Sequence, residues 1–341
     1  PAQTTQAVLN VTAVNPCSGG FLTVFACGTR PNTSNVNYEA GRTTAALAMS
    51  LLTDRAVCIY SFARVDLVVD LIGAFTPAGA RFHALGPVRW VDTRGNAAVF
   101  PAAGPLLATQ SIDVPIAGRG GIPADATGVW INLTAAGSPE DTVWQAYPGP
   151  CGPPPTSSTV NVLAGRAAAT STLVGIGSNG GICVQSSQIA NVILDVTGWY
   201  KLYASTVTNA RPLRLFDTRA GELGSTELYA LSDVNTPFTP GTTYRIQPQM
   251  QAGVPGGTVA NSAVLNITAV SPAADGYVTV WPCTTATSGL PAPLISALNY
   301  RPGGATANGA IVGLSADGFC LRVSQTTHLI IDVTGWQATA F

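Results

Sequence analysis

One pattern recurs three times along this chain, and it constrains the fold more than any other feature. Ala7-Val-Leu-Asn-Val-Thr-Ala-Val14 returns as Val129-Trp-Ile-Asn-Leu-Thr-Ala-Ala136 and again as Ala263-Val-Leu-Asn-Ile-Thr-Ala-Val270. Each occurrence is followed by a segment ending near Cys27, Cys151 or Cys283, then by one carrying Asn37, Asn161 or Asn299. A second cysteine follows, at 58, 183 or 320. The copies close on Leu67-Val-Val-Asp-Leu-Ile-Gly73, Val192-Ile-Leu-Asp-Val-Thr-Gly198 and Leu329-Ile-Ile-Asp-Val-Thr-Gly335. Self-similarity at so long a period describes one structural unit laid down in tandem.

A front section precedes the second and third copies, as Arg89-Trp-Val-Asp-Thr-Arg94 and Arg214-Leu-Phe-Asp-Thr-Arg219. The first copy has none among these residues: Pro1 stands nine positions before Asn10, as Pro123 stands before Asn132. Modules are therefore expected at 1–76 (incomplete), 81–200 and 211–338. The segments are short, rich in Val, Ile, Thr and aromatics, and divided by Gly, Pro, Ser and Asn clusters, which is strand punctuation. Ala45 to Leu52 is the best stretch for a helix but reads equally well as a strand; 36 Gly and 25 Pro disfavour long helices. The expected fold class is all-β, in tandem β-sandwich (jelly-roll-like) modules. The closing strand is apolar around its Asp, which predicts a central strand covered on both faces.

The series Asp-Thr-Arg, Leu-Asn-Val-Thr-Ala-Val and Ile-Asp-Val-Thr-Gly-Trp, as it stands at residues 92–94, 9–14 and 331–336, resembles a repeat of secreted actinobacterial surface proteins. The resemblance covers nearly the whole chain. It implies export and a surface role, and supplies no catalytic residues.

Seven cysteines in an exported β protein read as disulfides. Each copy carries one cysteine after its second strand and one before its closing strand, so the repeat pairs Cys27 with Cys58, Cys151 with Cys183, and Cys283 with Cys320. Closing loops of this length stabilises each module by about 3–4 kcal/mol. Cys17 has no counterpart and reads either as a free thiol or as an intermolecular bridge.

Charged residues make up only 10% of the chain and its formal net charge is −1, so there is no basic footprint for nucleic acid. Its apolar runs are shorter than the ~20 residues of a spanning helix, so no membrane insertion is expected. A signal peptide is expected to have been removed on export or to lie outside these residues. Asp92 with Arg94, and Asp217 with Arg219, read as ion pairs fixing the register of a first strand, with anion recognition as the alternative. Asp70, Asp195 and Asp332 interrupt apolar strands and need buried partners; Arg94 and Arg219 are the expected ones for Asp195 and Asp332. Asn10, Asn132 and Asn266 read as side chains satisfying a turn or a neighbouring strand. Trp199 and Trp336 are candidate ligand-stacking aromatics, or lids on the core. His83 and His328 do not repeat, and His328 aligns with Asn191 and Asp66 as an exposed strand end.

Together these features predict a secreted, extracellular or cell-surface structural protein without catalytic residues, metal or cofactor. It is expected to form a homo-oligomer or polymer through its incomplete N-terminal module. The alternative is a carbohydrate- or cell-wall-binding, adhesive array; a hydrolase is a third reading, without a motif behind it. Non-reducing peptide mapping is expected to recover Cys27–Cys58, Cys151–Cys183 and Cys283–Cys320, and a bridge between modules through these residues would refute the alignment of the repeats.

Overall fold

The computed structural model describes residues 4–76, 80–96, 98–100, 104–202, 207–219, 236–248, 254–255, 260–284 and 291–338. Parts of the third expected module, such as residues 220–235, lie outside the described residues. Among those described there is no helix, and the chain is all-β. The stretch at Ala45 to Leu52 falls in a strand, Thr44–Leu51.

Among the described residues twenty-two strands form six antiparallel sheets, and each sheet draws its strands from one copy of the repeat. In the second copy the strands are β7 (Ala80–Asp92), β8 (Ser111–Pro115), β9 (Gly128–Ala136), β10 (Thr142–Pro148), β11 (Val160–Val162), β12 (Ala167–Gly175), β13 (Gly181–Ser186) and β14 (Asn191–Leu202). They make two four-stranded sheets, β12-β9-β14-β7 and β11-β10-β13-β8. The third copy repeats this order with β15 (Val207–Asp217), β16 (Tyr244–Ile246), β17 (Ala260–Val270), β18 (Gly276–Pro282), β19 (Leu298–Tyr300), β20 (Ala305–Gly313), β21 (Phe319–Val323) and β22 (His328–Ala338). Its sheets are β20-β17-β22-β15 and β19-β18-β21-β16.

The first copy has β1 (Gln6–Val14), β2 (Gly20–Ala26), β3 (Val36–Tyr38), β4 (Thr44–Leu51), β5 (Val57–Ser61) and β6 (Asp66–Phe75). They form two three-stranded sheets, β4-β1-β6 and β3-β2-β5. Among the described residues neither sheet has the terminal strand that the front section supplies elsewhere. The closing strand is thus flanked on both sides in β14 and β22, but β6 is an edge. This corrects the expectation of a covered central strand for the first copy.

The chain divides into two compact units. One comprises Pro1–Gly79, Ser205–Pro293 and Ala297–Phe341; the other comprises Ala80–Ala204 with the tripeptide Leu294–Ser296.

The two-residue period of a strand explains the repeated motif. In β9, Val129, Ile131, Leu133 and Ala135 enter an apolar cluster with Val114, Trp144, Val160, Ile182 and Val184 of the companion sheet. Ala263, Leu265, Ile267 and Ala269 of β17 do the same with Val278, Leu298 and Leu321. Ala7, Leu9, Val11 and Ala13 of β1 pack with Leu22, Val24 and Val36. The alternate positions carry Asn10, Asn132 and Asn266 to the opposite face, where they too are buried. The structure joins Cys27 to Cys58, Cys151 to Cys183 and Cys283 to Cys320, each bridge tying the segment just after β2, β10 or β18 to the neighbouring strand β5, β13 or β21.

The glycine that ends the closing motif has a steric cause. At Gly198 an added Cβ would lie 2.2 Å from the Phe82 ring and 2.7 Å from the His83 carbonyl oxygen, both on β7. The front strand therefore reaches its close approach only over a residue without a side chain. Gly198→Ala is expected to destabilise the protein by about 1–3 kcal/mol, the range for overpacking, seen as a lower urea midpoint; an unchanged midpoint would show that β7 has room to shift.

Candidate functional site

The register of the larger sheets lines polar residues up across neighbouring strands. Asn132 of β9 stands opposite Asp195 of β14, and Asp195 stands opposite Arg89 of β7. In the third copy the same row runs Asn266, Asp332, Arg214. Arg89 reaches this row because β7 carries an extra residue: Val91 pairs with Leu194 and Arg89 with Asp195, leaving Trp90 unpaired between them. Leu215 is the corresponding extra residue of β15. A bulge of this kind re-aims the side chains beside it.

Each arginine of the row uses all three of its nitrogens. Arg89 donates from Nε to Asp195 Oδ1 (2.5 Å), from Nη1 to Asp92 Oδ2 (2.7 Å), and from Nη2 to the Leu294 carbonyl. Arg214 donates from Nε to Asp332 Oδ1 (2.5 Å), from Nη1 to Asp217 Oδ2 (2.8 Å), and from Nη2 to the Asn32 carbonyl (2.7 Å). Asn132 Nδ2 donates to the Ser296 carbonyl, and Asn266 Nδ2 to the Ser34 carbonyl (2.6 Å). The second unit thus receives Leu294–Ser296, and within the first unit Arg214 and Asn266 receive Asn32–Ser34. Both tripeptides end on a serine three positions before the recurring Asn299 or Asn37. The Asn37 amide donates to that serine hydroxyl (3.2 Å), and Asn161 does the same to Ser158 (3.1 Å).

The Asp-Thr-Arg motif has its own task. Asp92 accepts from the Arg94 backbone N–H (3.1 Å), Nε (2.9 Å) and Nη2 (2.8 Å), and from Asn96 Nδ2 (3.0 Å). Asp217 accepts from Arg219 in the same three ways. The pairs Asp92–Arg94 and Asp217–Arg219 therefore form, but Arg94 and Arg219 are not the direct partners expected for Asp195 and Asp332. Those are Arg89 and Arg214, whose repetition at one position of both front sections was the available signal. The threonine pins the end of the front strand to the start of the closing strand: Val192 N–H donates to Thr93 Oγ1 (2.9 Å), and Leu329 N–H to Thr218 Oγ1 (2.9 Å). His328 is half-buried with Nδ1 3.1 Å from Thr218 Oγ1, and is not the exposed strand end expected from its alignment.

The aromatic candidates sit against other side chains. Trp199 stacks on His83 with centroids 3.9 Å apart and planes at 8°. Trp336 is buried in the core of its module. Cys17 is an exposed free thiol. No cluster of three or more His, Cys, Asp or Glu suited to a metal exists among the described residues. A cavity of about 410 Å³ beside Cys27 is lined by Phe25, Leu51 and Arg30 among others; the Arg30 guanidinium lies 3.9 Å over the Tyr60 ring.

Burial sets the protonation of the row. It pushes Asp195 up to about 7 and Asp332 up to about 6, against the opposing pull of Arg89 and Arg214. Asp92 moves the other way: the Arg94 hydrogen bonds hold it well below the usual carboxylate range.

No family model matches this sequence, and no curated protein sequence matches it. Among solved structures, the tandem CBM22-1–CBM22-2 domain of Paenibacillus barcinonensis Xyn10C is 13% identical, covering 76% of this chain and 93% of its own, at a TM-score of 0.19. A structure of Sulfolobus Turreted Icosahedral Virus is 7% identical over 100% of this chain and 81% of its own, at 0.19. An archaeal virus structure described by its triple jelly roll fold and turret assembly is 7% identical over 97% and 80%, at 0.18. Likeness at these TM-scores carries no argument about fold or ligand.

Asp195 and Asp332 link stability to pH. An unfolded carboxylate titrates near about 3.9, so between that value and 6–7 the folded state holds protons the unfolded chain has lost. The stabilisation is complete below the unfolded value and is lost as pH rises through the folded one. Asp92 opposes this only at more acidic pH. The melting temperature is expected to be higher at pH 5 than at pH 8, and the difference to shrink in Asp195→Asn/Asp332→Asn. Differential scanning fluorimetry reads both, and an equal difference in the double variant would remove these two groups as its source.

Proposed function

We propose that this chain is a secreted, non-catalytic structural protein whose β-sandwich modules work by associating with protein partners outside the cell. One observation carries the reading: both complete polar rows are engaged by peptide carbonyls of the chain itself. Asp92, Asp195, Asp217 and Asp332 are the buried charged groups among the described residues, and with the half-buried Arg89 and Arg214 they hold strands and loops together. Each guanidinium commits its Nε, Nη1 and Nη2 to carboxylates and a carbonyl of the chain, which is what a structural joint asks of it.

Three disulfides support an oxidising compartment, and no helix among the described residues is long and apolar enough to cross a membrane. The resemblance of the repeat to those of actinobacterial surface proteins supports the same location. Assembly through the first module is supported by its uncovered side. Trp199 stacks one face on His83 and packs against its module's core, and Trp336 is buried, so the structural reading is favoured over a sugar-stacking role for them.

Sedimentation of native extracellular material tests the proposal. The protein is expected in species heavier than the 34.8 kDa chain, without retention on cell-wall polysaccharide. A monomer under all native conditions would overturn the structural reading, and saturable polysaccharide retention would replace it with the carbohydrate-binding one.

A further inference from the structure

The closing strand of the first copy is built like its two counterparts but, among the described residues, pairs only with β1 and has no strand on its other edge. Leu67, Val69 and Leu71 of β6 are 40%, 43% and 68% exposed. The registers through Asn10, Asn132 and Asn266 align them with Val192, Leu194 and Val196 of β14 and with Leu329, Ile331 and Val333 of β22, all 0% exposed. These are core-facing positions, so the first module is open along one side. In the other two modules a front strand closes this side, with Trp90 or Leu215 turned into the core.

The polar row is interrupted at the same place. Asn10 stands opposite Asp70, as Asn132 stands opposite Asp195. Asp195 and Asp332 have their arginines, whereas Asp70 has no ion-pair partner among the described residues and its Oδ2 is buried without a hydrogen bond.

We propose that β6 is a docking edge for an antiparallel peptide strand of the pattern Arg-x-x-Asp-Thr-Arg from outside residues 1–341, its first arginine binding Asp70. The inference rests on the structural reading above and names the partner it requires. By the register of β7 and β15, the arginine stands opposite Asp70 and the aspartate of the motif opposite Val68, with an apolar residue bulged between them into the open core. Such strand addition couples main-chain hydrogen bonds to one side-chain pocket and one charge pair.

A second copy is not the occupant. Its two strands of this pattern, β7 and β15, already pair with β14 and β22, and lending one would open the same gap in the lender. Pairing β6 with β6 would bring together edges whose only charged residues are Asp66 and Asp70.

The test is fluorescence anisotropy with the intact 341-residue protein and a labelled synthetic peptide of residues 81–122, which carries Arg89 and Asp92–Arg94. Saturable binding is expected, weakened at least tenfold by Asp70→Asn in the protein and by Arg89→Ala in the peptide. Leu71→Lys, at an exposed position that folding alone does not bury, is expected to weaken it similarly. Absence of binding by protein with its three disulfides and β circular dichroism intact would overturn the inference. So would equal binding of a scrambled peptide, or undiminished binding by both protein variants. A self-dimer abolished by Leu71→Lys would overturn it in favour of a second copy. If the peptide fails while native material still sediments as a heavy species, the structural reading survives and this partner does not.

Discussion

A single guanidinium, shared between two buried carboxylates, is the joint of each complete module. Asp195 and Asp332 lie within apolar strands where an unpartnered charge would be costly. Arg89 and Arg214 relieve that cost and also reach the aspartate of their own strand. The planar fork makes this possible: one lysine ammonium could not hold two carboxylates and a carbonyl in fixed directions. The bulge at Trp90 or Leu215 aims the fork, the Asp-Thr-Arg turn buttresses it, and Gly198 lets the front strand come close enough. Removing one member of such a buried set leaves the others charged and unpaired, which typically costs about 3–5 kcal/mol. The cluster is therefore a condition for the module's closure.

The first module shows the same sheet pair without that joint. Its apolar interior still forms around Ala7, Leu9, Val11, Leu22 and Val24, and one disulfide spans its smaller sheet. What it lacks is the strand that would make β6 interior. A bare edge with Leu67, Val68, Val69 and Leu71 exposed is what natural sheets avoid, because unpaired N–H and C=O groups beside apolar side chains invite pairing. β6 carries no lysine or proline to discourage it.

Much of this was legible in the residues. Alternation in Val-Leu-Asn-Val-Thr-Ala announced strands with an apolar and a polar face, and the three copies paired six cysteines without geometry. The partner of the buried aspartates was misread because a regular strand puts Asp92 and Arg94 on one face, whereas the chain turns after Asp92 and bulges before it. His328 looked exposed because Asp66, Asn191 and His328 share only polarity; contact with the motif threonine explains the latter two. The joining of the first and third copies in one compact unit left no trace in the repeat, since the segments received by the rows are recognised through main-chain atoms.

That last property has an evolutionary consequence. Asn32-Thr-Ser34 and Leu294-Ile-Ser296 share only their final serine, yet each presents carbonyls two residues apart to an arginine and an asparagine. A joint that reads the peptide unit leaves the side chains of the inserted segment free to drift.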